Sequence, residues 1–129
     1  MKSIMRLIAF MPVFVMALSF VPRKIDLGEE QRRKIATDIL NNFVKQDYEA
    51  VRKDFHSSLK VTLPVEKLAE AWETTVKLNG NFEKIISTAS ARTQDYNQVK
   101  IKCKFQNENI TLETTFTEDD RVIGLFLKP

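Results

Sequence analysis

The spacing of apolar residues changes at Gly80, and this change decides the fold class. From Leu68 to Val76 the apolar side chains recur at helical spacing and share one helix face. From Val99 to Phe105, and again from Ile110 to Phe116, apolar and polar residues alternate, as they do in strands with one buried face. Helices that are followed by a run of strands indicate an α+β domain.

Three helices are predicted before Gly80. Asp26 and Glu29 form a capping box ahead of the first helix. Asp47 can cap the second helix, and Pro64 suits the first turn of the third. The helices are expected from about Gly28 to Lys45, from Asp47 to His56-Ser57-Ser58, and from Pro64 to Asn79-Gly80.

Four strands are predicted after Gly80. They are expected at Phe82–Ala91, Val99–Phe105, Ile110–Phe116 and Val122–Leu127. Polar residues 92–97 separate the first two strands, and turn-forming residues at 107–109 and 118–120 join the others as hairpins. The predicted architecture is α+β, with three helices packed on one face of a curved, four-stranded antiparallel sheet that forms a cone with an apolar interior.

The N-terminal segment has the pattern of an export signal. Lys2 and Arg6 precede an apolar run from Leu7 to Val21, which contains Pro12 and is shorter than a typical membrane span. Cleavage after Ser19 predicts a signal peptide of residues 1–19, and an uncleaved anchor that reaches about residue 22 is the alternative. We therefore expect export to the periplasm, cell surface or medium, and a single domain over residues 23–129 without a stable membrane span.

Composition excludes several classes of protein. The formal net charge of +3 falls close to zero once Lys2 and Arg6 leave with the leader, so nucleic acid is not an expected partner. The single cysteine, Cys103, excludes a disulfide framework within the chain and a four-cysteine zinc site. Three dispersed glycines cannot build a nucleotide-binding loop. No cofactor, metal site or catalytic residue is assigned from the sequence.

Several segments carry a family resemblance. They are Phe43, Asp47-Tyr48-Glu49-Ala50, Phe55, Leu68–Trp72, Gly80–Phe82, Val99–Phe105 and Val122–Phe126. In these segments the chain resembles a bacterial extracytoplasmic family of unknown function with a nuclear transport factor 2-like fold. The resemblance implies a cone-shaped α+β domain of the kind that often precedes secreted α/β-hydrolases. Here the domain is expected to stand alone, and hydrolase chemistry is not expected because the sequence has no Gly-x-Ser-x-Gly motif.

Two titratable side chains have both a functional and a structural interpretation. His56 is either a general base for a pocket ligand or a polar residue near a helix C-terminus, and we favour the second. Cys103 is either a reactive thiol or a buried, inert one. Its alternation with Ile101 and Phe105 favours burial.

Two charged clusters have the same ambiguity. The row of Lys100, Lys102 and Lys104 suits an anionic polysaccharide or phospholipid surface, but a solvated sheet face that discourages edge aggregation explains it equally well, and we favour the solvated face. The turn Glu118-Asp119-Asp120 suits a hard cation, but consecutive acidic residues in a turn usually point apart, which favours a solvated loop.

The candidates for a ligand pocket are aromatic. Trp72 lies on the inward stripe of the third helix, where we favour packing in the core. The alternative is that it lines a pocket with Tyr48 at the open end of the cone. The four candidate pocket residues are Tyr48, Trp72, Phe105 and Phe116.

The predicted function is that of an exported, non-catalytic binding or accessory module. Its expected partners are an unidentified small ligand, an envelope protein or a second copy of the chain. The alternative is a small isomerase- or dehydratase-like enzyme that uses the cone cavity. Such an enzyme needs two titratable groups in the cavity, whereas the inward positions of the second and third strands offer only Cys103.

Overall fold

A computed structural model of the protein describes residues 27–129. The predicted signal peptide, its cleavage after Ser19 and the Asp26 cap lie outside the described residues. The helices are α1 (Leu27–Lys45), α2 (Tyr48–Val51), α3 (Ser57–Thr62) and α4 (Val65–Asn79). The strands are β1 (Phe82–Thr93), β2 (Tyr96–Phe105), β3 (Asn109–Phe116) and β4 (Val122–Lys128). They form one antiparallel sheet in the order β1-β2-β3-β4, which confirms the α+β class and the four-stranded meander.

The region between α1 and α4 contains two short helices rather than one, and this corrects the expected count of three. Asp47 caps α2 as predicted, since its carboxylate accepts a hydrogen bond from the Ala50 amide at 3.3 Å. The helix ends at Val51, however, and His56 starts α3 instead of ending α2. The Nδ1 of His56 accepts a hydrogen bond from the Ser58 amide at 3.1 Å. His56 is therefore the N-cap residue of α3, and its ring nitrogen takes the role that a Ser, Thr, Asp or Asn oxygen has in most helices.

The hairpin of β1 and β2 is longer than predicted. Polar residues 92–97, expected as a separate connection, instead pair across the hairpin, Arg92 with Asn97 and Thr93 with Tyr96. Gln94 lies in the turn of this hairpin and has a positive φ of 44°. Hydrophobic alternation could not mark this stretch as strand, because its residues are polar and the ends of the hairpin are mostly exposed.

The helices cover one face of the sheet and bury an apolar core there. The residues predicted to face inward from β2 and β3 are all buried: Val99, Ile101, Cys103, Phe105, Ile110, Leu112, Thr114 and Phe116. Thr114 is the polar member, and its hydroxyl donates to the Val99 carbonyl at 2.9 Å. Opposite the sheet, α1 contributes Ile35, Ile39, Leu40 and Phe43. Each large side chain buried in this way stabilises the fold by about 1.5–3 kcal/mol.

Contacts on both sides hold the start of β4 in place. Phe55 forms a parallel bridge with Val122, and the His56 amide donates to the Val122 carbonyl at 2.8 Å. In the preceding turn, Asp120 pairs with Arg32 of α1 at 3.0 Å. The later residues of β4 lie at an edge of the sheet.

No helix within residues 27–129 is long and apolar enough to cross a bilayer.

Candidate functional site

Three of the four predicted pocket residues gather around Phe43. Trp72 stacks on the Phe43 ring with centroids 5.2 Å apart and an interplanar angle of 15°, and its ring lies 5.6 Å from that of Phe105. Tyr48 meets Phe43 edge-on at 6.3 Å. Trp72 and Phe105 are only 3% and 1% exposed, so these rings fill the core by contact with one another. Trp72 also borders a cleft of about 220 Å³.

Phe116 lies far from this aromatic cluster. It pairs with Asn97 across β2 and β3, and Phe105 is at the other end of β2. A strand of that length spans roughly 26 Å at about 3.3 Å per residue. The structure therefore brings Tyr48, Trp72 and Phe105 together and places the buried Phe116 at the opposite end of the sheet.

The hydroxyl of Tyr48 is the polar group of the aromatic cluster. Its oxygen is buried and has no hydrogen-bond partner among the described residues. Burial raises the pKa of Tyr48, and the carboxylate of Glu73 raises this pKa further. The phenol therefore stays neutral at physiological pH.

A larger groove opens between α4 and the edge strand β4. Its volume is about 500 Å³, which is within the range of roughly 300–1,000 Å³ for small-molecule sites. Its apolar lining is Phe43, Leu63, Leu68, Ala71, Leu125, Phe126 and Leu127, and its polar lining is Lys67, Glu70, Thr74 and Thr75. Phe43 connects this groove with the aromatic cluster, but the four predicted pocket residues are not part of the lining.

The groove depends on the composition of β4 and on its place in the sheet. Residues 122–127 are Val-Ile-Gly-Leu-Phe-Leu, an apolar run without alternation. Leu125 and Leu127 are half-buried and Phe126 is 54% exposed. An apolar edge strand is prone to contact another molecule. This unbroken apolar run is the sequence feature that accompanies the groove, and it shows only that β4 has more apolar residues than one buried face requires.

His56 takes part in helix capping. Its Nδ1 lies 2.9 Å from the Ser58 hydroxyl, in addition to accepting from the Ser58 amide. Asp119 and Arg121 lie beside it around a shallow cavity of about 280 Å³. A hydrogen bond from the Thr117 hydroxyl lowers the pKa of Asp119. The ring nitrogen that would act as a base is therefore already engaged with the backbone, and its position at a helix start corrects the expected position near a helix C-terminus.

Cys103 is buried, as the alternation of β2 predicted. It is 1% exposed, and its sulfur lies 3.6 Å from the Ile101 carbonyl oxygen, to which the thiol donates. Burial raises the pKa of the Cys103 thiol to about 11. Because the thiolate is the nucleophilic form, this residue is inert at neutral pH.

The acidic turn before β4 has separate partners for its side chains. Asp120 pairs with Arg32, and Asp119 accepts a hydrogen bond from Thr117. Across residues 27–129, no group of three His, Cys, Asp or Glu side chains is arranged so that it could hold a metal ion. Through the pair of Asp120 with Arg32, this turn between β3 and β4 is attached to α1.

One family model matches most of the chain. The family model described as "Protein of unknown function (DUF3887)" matches residues 36–125, from α1 into β4. The chain belongs to this family. The matched segment includes Tyr48, Trp72 and Phe105 and all of the groove lining except Phe126 and Leu127.

The family assignment is accompanied by a likeness of fold. A protein from Ruminococcus gnavus ATCC 29149, solved by NMR, is similar with a TM-score of 0.56 and 18% sequence identity. The alignment covers 80% of this chain and 95% of that chain. No curated protein matches the chain. At this level of identity the likeness concerns the fold alone.

Proposed function

We propose that this protein is an exported, non-catalytic binding module whose binding site is the groove between α4 and β4. The observation that carries the proposal is an apolar groove of about 500 Å³ beside an otherwise well-packed core. A ligand with an apolar body would remove the faces of Leu125, Phe126 and Leu127 from water. Such burial contributes about 25 cal/mol per Å² of apolar surface.

The charged groups at the groove suit orientation of a ligand better than catalysis. Lys67 and Glu70 are exposed neighbours on α4, and they can contact the polar end of a bound molecule. An isomerase or dehydratase would need an acid and a base held in a cavity with shifted pKa values. Cys103, the titratable group on the inner face of β2, is a buried neutral thiol. These features favour binding over the enzymatic alternative.

We extend the proposal to the cellular setting and the fold type. Lys2 and Arg6 ahead of the apolar run Leu7–Val21 support export. Helices that cover one face of an antiparallel sheet support a nuclear transport factor 2-like cone. The resemblance to domains that precede secreted α/β-hydrolases supports an accessory role beside such an enzyme.

A reporter fusion tests the export. Residues 1–26 are joined to alkaline phosphatase, which becomes active after it leaves the cytoplasm, and the fusion is expected to be active. An inactive fusion that accumulates in the cytoplasm would contradict export.

A groove-filling substitution tests the binding site. The leaderless chain, residues 20–129, is titrated with the neutral apolar dye N-phenyl-1-naphthylamine, and binding is followed by fluorescence. Ala71 is an exposed residue of α4 that lines the groove, so Ala71→Phe places a ring in the space of the ligand. We expect this substitution to weaken dye binding by about tenfold or more, which is the equivalent of at least about 1.4 kcal/mol.

Lys77→Phe is the matched control, because Lys77 is exposed on the same helix and does not line the groove. It introduces the same ring and is expected to leave the dye affinity unchanged. Thermal unfolding of both variants by circular dichroism checks that they fold. Failure of the wild-type chain to bind the dye, or equal binding by the two variants, would refute the groove as the site.

A further inference from the structure

The second surface with a marked chemical character is the outer face of the sheet, opposite the helices. Lys84 of β1 pairs with Lys104 of β2. Thr111 of β3 pairs with Lys102 on one side and with Lys128 on the other. Lys102, Lys104 and Thr111 alternate with buried side chains along their strands and therefore lie on the outer face, as do their partners in the register. The lysines of this face, which we name the lysine face, are Lys84, Lys100, Lys102, Lys104 and Lys128. They lie on three of the four strands, β1, β2 and β4, and are therefore a two-dimensional array rather than a single row.

Few acidic groups offset these charges. Glu113 lies 3.8 Å from the ammonium of Lys100 and 3.4 Å from that of Lys128, and Glu83 lies 3.4 Å from that of Lys104. The Lys104–Glu83 pair is exposed on both sides and therefore weak, whereas the largely buried Glu113 is shared between two lysines and can neutralise only one of them. Lys84 and Lys102 form no ion pair with any residue in the described part of the chain.

The positive charge of this face is balanced elsewhere in the domain. Residues 27–129 contain equal numbers of basic and acidic side chains, so an excess of lysine on one face requires an excess of acid on the others. Some of these acidic side chains lie on α4, where three glutamates outnumber two lysines. The domain is therefore neutral as a whole but has a net positive outer sheet face, and an anionic surface would both attract it and orient it.

Two exposed aromatic residues share the lysine face. Tyr96 is 47% exposed, and Phe126, which pairs with Glu113 on this face, is 54% exposed. The Lys128 ammonium lies 5.4 Å from the centre of the Phe126 ring. Lysines together with aromatic side chains suit the headgroup region of a bilayer, where charge meets anionic lipid and rings lie at the interface. An anionic bilayer would use both features together, because its surface carries the charge and its interface accommodates the rings.

We propose that the lysine face is a docking surface for a bilayer that contains anionic phospholipid. The domain binds with its sheet against the headgroups and its helices directed away from them. This orientation leaves α4, with its acidic side chains, on the side away from the membrane. The proposal shares Phe126 with the groove, but none of the lysines of this face lines the groove.

Vesicle binding tests this proposal. The leaderless chain is used because the apolar leader would itself partition into lipid. Co-sedimentation at low salt is measured with vesicles of phosphatidylglycerol and phosphatidylcholine, and with phosphatidylcholine alone. Binding is expected with the anionic vesicles, with loss at high salt as the charges are screened. Each lysine near an anionic membrane changes the partition coefficient by about fivefold, so K84Q/K100Q/K102Q is expected to lower it by roughly a hundredfold.

The matched control is K53Q/K60Q/K77Q, which removes the same charge from exposed residues of the helical side. It is expected to change the partition coefficient by less than about threefold. Equal losses in the two triple variants would overturn the proposal, because net charge alone would then explain the binding. Failure of the wild-type chain to co-sediment with anionic vesicles would also overturn the proposal. This includes the outcome in which the chain binds soluble dextran sulfate but not the vesicles. Circular dichroism confirms that both variants remain folded.

Discussion

The two sides of helix α4 differ in how completely they are covered. On one side, Trp72 is buried between the rings of Phe43 and Phe105. On the other side, Ala71 and its neighbours face β4 across the open groove. The first side faces a central strand with partners on both edges, whereas the second faces an edge strand. Aromatic residues in a predicted cavity can therefore be the groups that fill it, and the open groove forms where the sheet ends.

The largest expected effect is at the closed side. Trp72→Ala should lower the free energy of unfolding by about 3–5 kcal/mol, because it removes a buried indole from between two rings and leaves a cavity there. Phe126→Ala on the open side should lower it by less than about 1 kcal/mol, since that ring is more than half exposed. Urea unfolding of the leaderless chain, followed by circular dichroism, measures both. A similar decrease in the free energy of unfolding for both variants would show that the two sides of α4 are packed equally well.

The turn at the end of α4 supplies a second, smaller contrast. Gly80 has a φ of +86°, and a Cβ there would lie 2.6 Å from the Cβ of Gln106. Gly80→Ala should therefore lower the free energy of unfolding by about 1–3 kcal/mol through strain and displacement of the β2–β3 turn.

Gly124 on β4 is the matched control for that substitution. Its φ is outside the left-handed region, and a Cβ would lie 3.3 Å from the Thr115 Cβ, so a slight shift of one neighbour accommodates it. Gly124→Ala should lower the free energy of unfolding by less than about 1 kcal/mol, measured in the same urea titrations. A larger loss at Gly124 than at Gly80 would reverse the contrast between the fixed end of α4 and the edge strand.

The residues that follow local rules were predictable from the sequence. Alternation identified every inward side chain of β3, and Asn79-Gly80 marked the end of α4 because the left-handed conformation favours glycine there. His56 was misplaced because an imidazole cap has no common sequence signature. The residues around Gln94 were misplaced because polar pairs, not apolar ones, continue the hairpin.

The groove could not be predicted in the same way. It depends on the gap between α4 and β4, two elements far apart in sequence, and on the absence of a fifth strand beside β4 among residues 27–129. The apolar run in β4 indicated a strand but not which of its residues would remain uncovered. Likewise, the spacing of Phe105 and Phe116 showed two inward rings, and the hairpin register was needed to show that they lie at opposite ends of the sheet.

The smallest expected effect concerns Tyr48, at the margin of the closed side. Its buried hydroxyl has no partner among the described residues, and a buried polar group without a hydrogen bond lowers stability. Tyr48→Phe removes the oxygen but keeps the edge-on contact with Phe43. We expect the free energy of unfolding to stay the same or to rise by up to about 1 kcal/mol, measured by urea unfolding beside Tyr96→Phe, whose ring is exposed. A loss of more than about 1 kcal/mol specific to Tyr48 would mean that its hydroxyl is hydrogen-bonded in solution. In that case the closed side of α4 would contain a polar site after all, and Tyr48 would return as a binding residue.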